Sequence, residues 1–137
     1  RRKNMDITEK IKAGMKKESS DVVSAGNTAA VVKSGLLEVY ATPAMTALME
    51  QAAAELIQGL LPDGWTSVGI SMSIAHTSAS PIGLKIRAEA KITAVDGRKI
   101  SYEVAAFDEA GEIGRGTHER FAVNAEKFMQ KANKKKN

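Results

Sequence analysis

Residues 42–60, TPAMTALMEQAAAELIQGL, decide the fold. The spacing predicts a single amphipathic helix. Thr42 is placed to cap it, because a threonine hydroxyl accepts a bond from an orphan N–H of the first turn. Pro43 follows at the first helical position, where its fixed φ is already helical and its missing donor costs nothing. Met45, Leu48, Met49, Ala52, Ala53, Leu56, Ile57 and Leu60 then recur at three- and four-residue intervals, which stacks them on one face. Gly59 and Pro62-Asp63-Gly64 end the run. The apolar arc covers about half of the circumference. A helix so broadly apolar needs a curved partner rather than one flat contact.

Glu50 interrupts that face. Counted from Met45 at 100° per residue it falls at about 140°, on the border of the arc beside Ala53 and Ile57. A border carboxylate either reaches water, as Glu55 does on the polar side, or stands at the rim of a pocket.

The flanking segments supply the partner. Residues 65–76 alternate, with Val68, Ile70, Met72 and Ile74 on one face and Ser67, Gly69, Ser71 and Ser73 on the other. Residues 84–95 set Leu84, Ile86, Ala88, Ala90 and Ile92 against charged neighbours, and Asp96-Gly97 makes a hairpin turn. Ile100, Tyr102, Val104 and Ala106 continue the alternation, and residues 114–123 form a last strand. Ahead of the helix, residues 29–32 and 36–40 carry β-favouring runs split by Ser34-Gly35, while residues 6–20 hold at most a short polar helix. Residues 126–136 suit a fraying polar helix. One strand, a long apolar helix and four strands joined mainly by short turns predict an α+β chain. Its antiparallel meander curls around one central helix, which is the hotdog architecture. The expected unit is one domain over residues 1–137, with a core of about 20–128 and polar basic tails. Uncovered sheet edges point to a homodimer, or a dimer of dimers.

Composition narrows the chemistry. The net charge is +4, but seven of the 20 Lys and Arg stand in the two tails, leaving 13 against 16 acidic residues. With aromatics at 4% there is no stacking platform, so a nucleic-acid partner is not expected. No run of eighteen apolar residues suggests a membrane span, and the charged N-terminal stretch lacks the apolar segment of a secretory leader. The absence of cysteine excludes disulfides and thiol catalysis and suits a cytoplasmic protein. Two histidines far apart in sequence make a poor metal site, and no dinucleotide, Walker or nucleophile-elbow spacing calls for a cofactor.

His76 has the parity of Met72 and Ile74, so a regular strand turns its imidazole toward the helix, at the strand's mouth. It is either a satisfied strand-end histidine or, with Glu50 on the facing surface, half of a pair that activates water. His118 and Arg120 share one face of the last strand, and Phe121 and Val123 the other.

These residues resemble a known family. Val39-Tyr40-Ala41-Thr42-Pro43-Ala44-Met45 with Ala47-Leu48-Met49-Glu50, Ser67-Val68-Gly69, Ala75-His76-Thr77 and Gly116-Thr117-His118-Glu119-Arg120-Phe121 are similar to hotdog thioesterases of the fluoroacetyl-CoA thioesterase type. The likeness spans roughly residues 20–128. It implies a dimer that hydrolyses an acyl-CoA thioester, with Thr42, Glu50 and His76 catalytic and Gly69 and Arg120 contacting substrate. In that reading His76 serves as base, and Glu50 orients water or attacks the carbonyl itself. Thr42 bonds to the site besides capping its helix. A backbone N–H near Gly69 and the helix N-terminus favour the oxyanion. Gly69 either admits substrate to the backbone or marks a bulge. Arg120 meets CoA phosphate or pairs with a surface carboxylate. The specialist's aromatic gate has no counterpart in residues 32–36, which implies a general acyl-CoA thioesterase. A hotdog module that binds acyl-CoA without cleaving it, and an enoyl-CoA hydratase, are the competing readings. Thr42 and Glu50 lie about 12 Å apart along a helix axis. The site therefore draws on both subunits or spreads along an acyl channel.

Overall fold

The computed structural model describes residues 6–136. Strand β1 (Lys16–Val22) is followed by a short helix α1 (Ala29–Val32) and the long helix α2 (Thr42–Gln58). Strands β2 (Trp65–His76), β3 (Lys85–Asp96), β4 (Lys99–Asp108) and β5 (Gly111–Asn124) follow, then helix α3 (Ala125–Asn133) and a 3-10 turn at Lys134–Lys136. The five strands make one antiparallel sheet in the order β1-β3-β4-β5-β2. Its inner face packs on α2, the hotdog architecture. The basic N-terminal tail expected from the sequence lies outside the described residues.

The helix behaves as its periodicity requires. Met45, Leu48, Met49, Ala52, Ala53 and Ile57 are buried, and Leu56 and Leu60 pack at the margin. Opposite them stand Ile86, Ala88, Ala90 and Ile92 of β3 and Ile100, Tyr102, Val104 and Ala106 of β4, all buried. Small side chains on both layers bring helix and sheet close, which maximises dispersion contacts. The Tyr102 hydroxyl donates to Ala53 O at 3.0 Å, so the one polar tip in this layer is satisfied. Asp96-Gly97 turns β3 into β4 as expected, with Gly97 at φ 63°.

Several expectations are corrected. Residues 16–22 are a strand, not part of a polar helix. Lys16-Lys17-Glu18-Ser19-Ser20-Asp21-Val22 has little β propensity, but it pairs with β3 as a sheet edge, where charges are tolerated. Only Ser19 of this strand is buried, and its hydroxyl donates to Leu48 O on α2 at 2.7 Å. Residues 29–32 are helical instead of extended. Thr28 caps them by accepting from Val31 N, and Lys33 at φ 65° ends them. Residues 36–40 form no strand beyond isolated bridges at Val39 and Tyr40, and Leu36 is 94% exposed. Nor is the sheet a four-strand meander. Only β3-β4-β5 is one, because residues 77–84 carry the chain from the β2 edge across to β3. That crossover is pinned near the start of α2, where Tyr40 N donates to Ser80 O and buried Ser80 donates to Asp108.

Candidate active site

Thr42 is not the helix cap. Met45 N already bonds Ala41 O, so Ala41 is the N-cap, with no side-chain bond, and Thr42 lies inside the first turn. Its hydroxyl is thereby free to turn to β2, where Thr42 Oγ1 lies 2.8 Å from His76 Nδ1. His76 closes β2, and its parity toward the helix layer holds as expected. The second ring nitrogen, Nε2, is buried without a partner. Burial lowers the imidazole pKa below its ordinary value, so the ring is neutral at pH 7. Thr42 and His76 line a cleft of about 260 Å³ with Ala29, Ser34, Val39 and Tyr40.

A second cluster forms further along α2, and a β-bulge makes it. The β2–β5 register shifts between Gly69 and Ser71. Strict alternation therefore fails. Ser67 and Gly69 face the helix ahead of the bulge, Met72, Ile74 and His76 face it beyond, and Ile70 is left half-exposed. The expected grouping of Val68 and Ile70 with Met72 is corrected accordingly, and Gly69 marks a bulge, one of the two roles expected of it. A Cβ at position 69 would lie 2.6 Å from Glu50 Oε2, 3.3 Å from His118 Cε1 and 3.4 Å from Arg120 Nη1.

Arg120 is buried although the carboxylate it faces, Glu50, is at the rim. It is 7% exposed, and its Nε and Nη2 donate to Ser67 Oγ at 2.8 Å and Ser67 O at 3.0 Å. Nη1 faces His118 Nε2 at 3.3 Å and Glu50 Oε2 at 3.7 Å. Glu50 itself keeps 43% of its side chain exposed, so it stands at the rim, one oxygen toward the guanidinium. His118 is 1% exposed and stacks on Tyr102 with ring centroids 5.6 Å apart. Its Nδ1 lies 2.8 Å from Ser71 O, a group that only accepts, so Nδ1 carries the proton and Nε2 is an acceptor. Burial, and then the charge of Arg120, lower its pKa, consistent with a neutral ring.

Within one protomer the two clusters remain apart. Eight residues on α2 separate Thr42 from Glu50, about 12 Å, and seven residues of β2 separate Gly69 from His76, roughly 20 Å. No hydrogen bond joins Glu50 to His76. Ser67 and His118 stand in the motifs quoted from the sequence but were assigned no role there. The glycine inside β2 was the available signal, since a strand-interior glycine flags the bulge that turns Ser67 inward. Among the described residues no group of three His, Asp or Glu could hold a metal ion, and no helix is long and apolar enough to cross a membrane.

The chain is similar to known proteins. The model of the fluoroacetyl-CoA-specific thioesterase family matches residues 23–126. The fluoroacetyl-CoA thioesterase of Streptantibioticus cattleyicolor is 41% identical over 98 residues, covering 72% of this chain and 70% of that protein. A crystal structure of a fluoroacetyl-CoA thioesterase superposes with a TM-score of 0.87 at 34% identity, covering 91% of this chain and 97% of the other. A threonine-to-serine variant in complex with acetyl-CoA gives 0.88 at 32%, covering 93% and 100%.

Proposed function

The chain belongs to the fluoroacetyl-CoA-specific thioesterase family and is an acyl-CoA thioesterase, splitting a CoA thioester into free acid and CoA; from that footing we propose that Thr42, Glu50 and His76 carry the chemistry, while Gly69 and Arg120 hold the substrate. The observation that carries the assignment is the buried, unpartnered Nε2 of His76. Leaving a buried polar atom unpaired costs stability, and such atoms collect where chemistry needs them. In the tautomer that protonates Nδ1, that N–H donates to Thr42 Oγ1 and Nε2 is a free base beside a cleft. It takes a proton from water as that water adds to the acyl carbon. The C–S bond then breaks, and CoA leaves as the thiolate and is reprotonated. Glu50 orients the water, or adds first to give an anhydride that water opens. Arg120 and the helix N-terminus offset the negative charge on the carbonyl oxygen.

The working unit is a homodimer of single hotdog domains, cytoplasmic and dependent on water alone. β2 is a sheet edge. Counting the bulge as one position, antiparallel pairing with a second β2 about Ser73 sets Met72 opposite the partner's Ile74 and Gly69 opposite the partner's His76. Faces match at every step. The Glu50–Arg120 cluster of one protomer thus meets the Thr42–His76 pair of the other, about one strand spacing away. Residues 32–36, where the fluoroacetyl-CoA specialist carries an aromatic gate, hold no aromatic side chain, which supports a range of acyl groups broader than fluoroacetyl.

Free-thiol release from acyl-CoAs of graded length, acetyl to long-chain and aromatic, tests the chemistry. Glu50→Gln and His76→Ala should each abolish turnover. Mixing those two variants tests the shared site. Half the dimers are then mixed, each with one intact site, so about a quarter of wild-type activity returns if the site is built as proposed. Within-chain sites would restore nothing. Tight CoA-ester binding without release would instead indicate a binding module.

A further inference from the structure

We propose that His118 is the positioning residue of this site, holding Arg120 toward Glu50 through the lone pair of Nε2; the inference rests on the reading that Arg120 engages the substrate. Two contacts and burial fix the imidazole. Nδ1–H donates to Ser71 O at 2.8 Å, the ring stacks on Tyr102, and burial keeps it dry. The Ser71 bond selects the tautomer, so Nε2 can only accept, and Arg120 Nη1 is the donor 3.3 Å away. Nη1 is the guanidinium nitrogen that faces Glu50 Oε2, whereas Nε and Nη2 are both anchored on Ser67. Without His118 the guanidinium keeps its Ser67 anchor but loses the acceptor that sets the direction of Nη1. His118 also borders the space kept open by Gly69, since its Cε1 lies 3.3 Å from where a Cβ would stand. The bulge that turns Gly69 inward involves Ser71, whose carbonyl fixes His118. One local irregularity thus sets glycine, histidine and arginine together.

Two conservative variants separate positioning from mere packing. In His118→Gln the side-chain carbonyl reaches the place of Nε2 and still accepts from Arg120. In His118→Asn the amide reaches only the place of Nδ1, keeping the Ser71 bond and losing the acceptor. Thiol release should show kcat/KM of His118→Gln close to wild type and that of His118→Asn reduced about tenfold or more, the scale expected for a misaligned group. The Asn penalty should vanish in an Arg120→Ala background, because a residue acting through Arg120 has nothing left to position. Equal losses in Gln and Asn, or an Asn penalty that survives Arg120→Ala, would overturn the proposal. An Arg120→Ala enzyme with undiminished kcat/KM would instead remove Arg120 from the site, and the proposal with it. Circular dichroism and thermal melts of each variant confirm that folded protein is compared.

Discussion

Thr42 shows how one side chain is released from capping duty for the role proposed for it. Because Ala41 caps α2, the Thr42 hydroxyl does not carry the helix start and spends its bond on His76. Thr42→Val should therefore melt within a few degrees of wild type, since one hydrogen bond is worth about 0.5–1.5 kcal/mol net, while losing thiol release about tenfold or more. Thr42→Ser, which keeps the hydroxyl, should retain most activity. Gly69 is the complementary case, a position defined by what it lacks. Gly69→Ala places a methyl 2.6 Å from Glu50 Oε2, forcing the carboxylate off Arg120. Thiol release should fall sharply in a protein that still folds. As the proposed base, His76 should set the pH dependence. Burial depresses its pKa, so the base is free at pH 7 and is lost only on protonation, and the acid limb of kcat/KM should have its midpoint below 6.5.

At the scale of elements, α2 supplies both the core and the candidate site, and the two faces answer to different tests. Met49 is fully buried, so Met49→Ala should cost about 2–5 kcal/mol in urea unfolding, the usual range for a large-to-small core change. Leu36, on the exposed segment ahead of α2, should tolerate alanine within about 0.5 kcal/mol and register instead as an altered acyl-chain preference in the thiol-release panel. The elements legible in the sequence were those with a strong period of their own. α2, β3 and β4 each bury one stripe, and Met45 to Ile57 and Ile86 to Ile92 could be read directly. β1 was not legible, because its polar residues become a strand only by pairing with β3. α1 was misread as extended, because four residues, two of them β-branched, carry too little pattern to outweigh a Thr28 cap.

For the whole molecule, both histidines have depressed pKa values, His118 fully buried and His76 half-buried. The unfolded chain binds protons at these rings near the ordinary value of 6.5, whereas the folded chain takes them only at lower pH. Their contribution to stability is thus complete above that value and is lost as pH falls through the folded-state pKa values. Thermal melts from pH 8 to pH 5 should show a decline that begins near 6.5 and is weaker in a His118→Gln variant. Assembly adds a concentration dependence. If a site is complete only when two β2 edges meet, specific activity should fall on dilution in step with the shift from dimer to monomer in size-exclusion light scattering.

The sequence by itself determined the central helix, the inward stripes of β3 and β4, the hairpin at Asp96-Gly97 and the hydrolase family, because each rests on local periodicity or on residues read in place. Only the tertiary structure decided the strand order, the strand at Lys16–Val22, and the bulge that turns Ser67 and Gly69 toward Glu50. It also decided which polar groups meet: Thr42 with His76, and Arg120 with Glu50, Ser67 and His118. The reason is physical. A period of 2 or 3.6 is written into neighbouring residues, whereas a bulge, an edge pairing or a contact across 34 positions is chosen by the free energy of the whole packed chain.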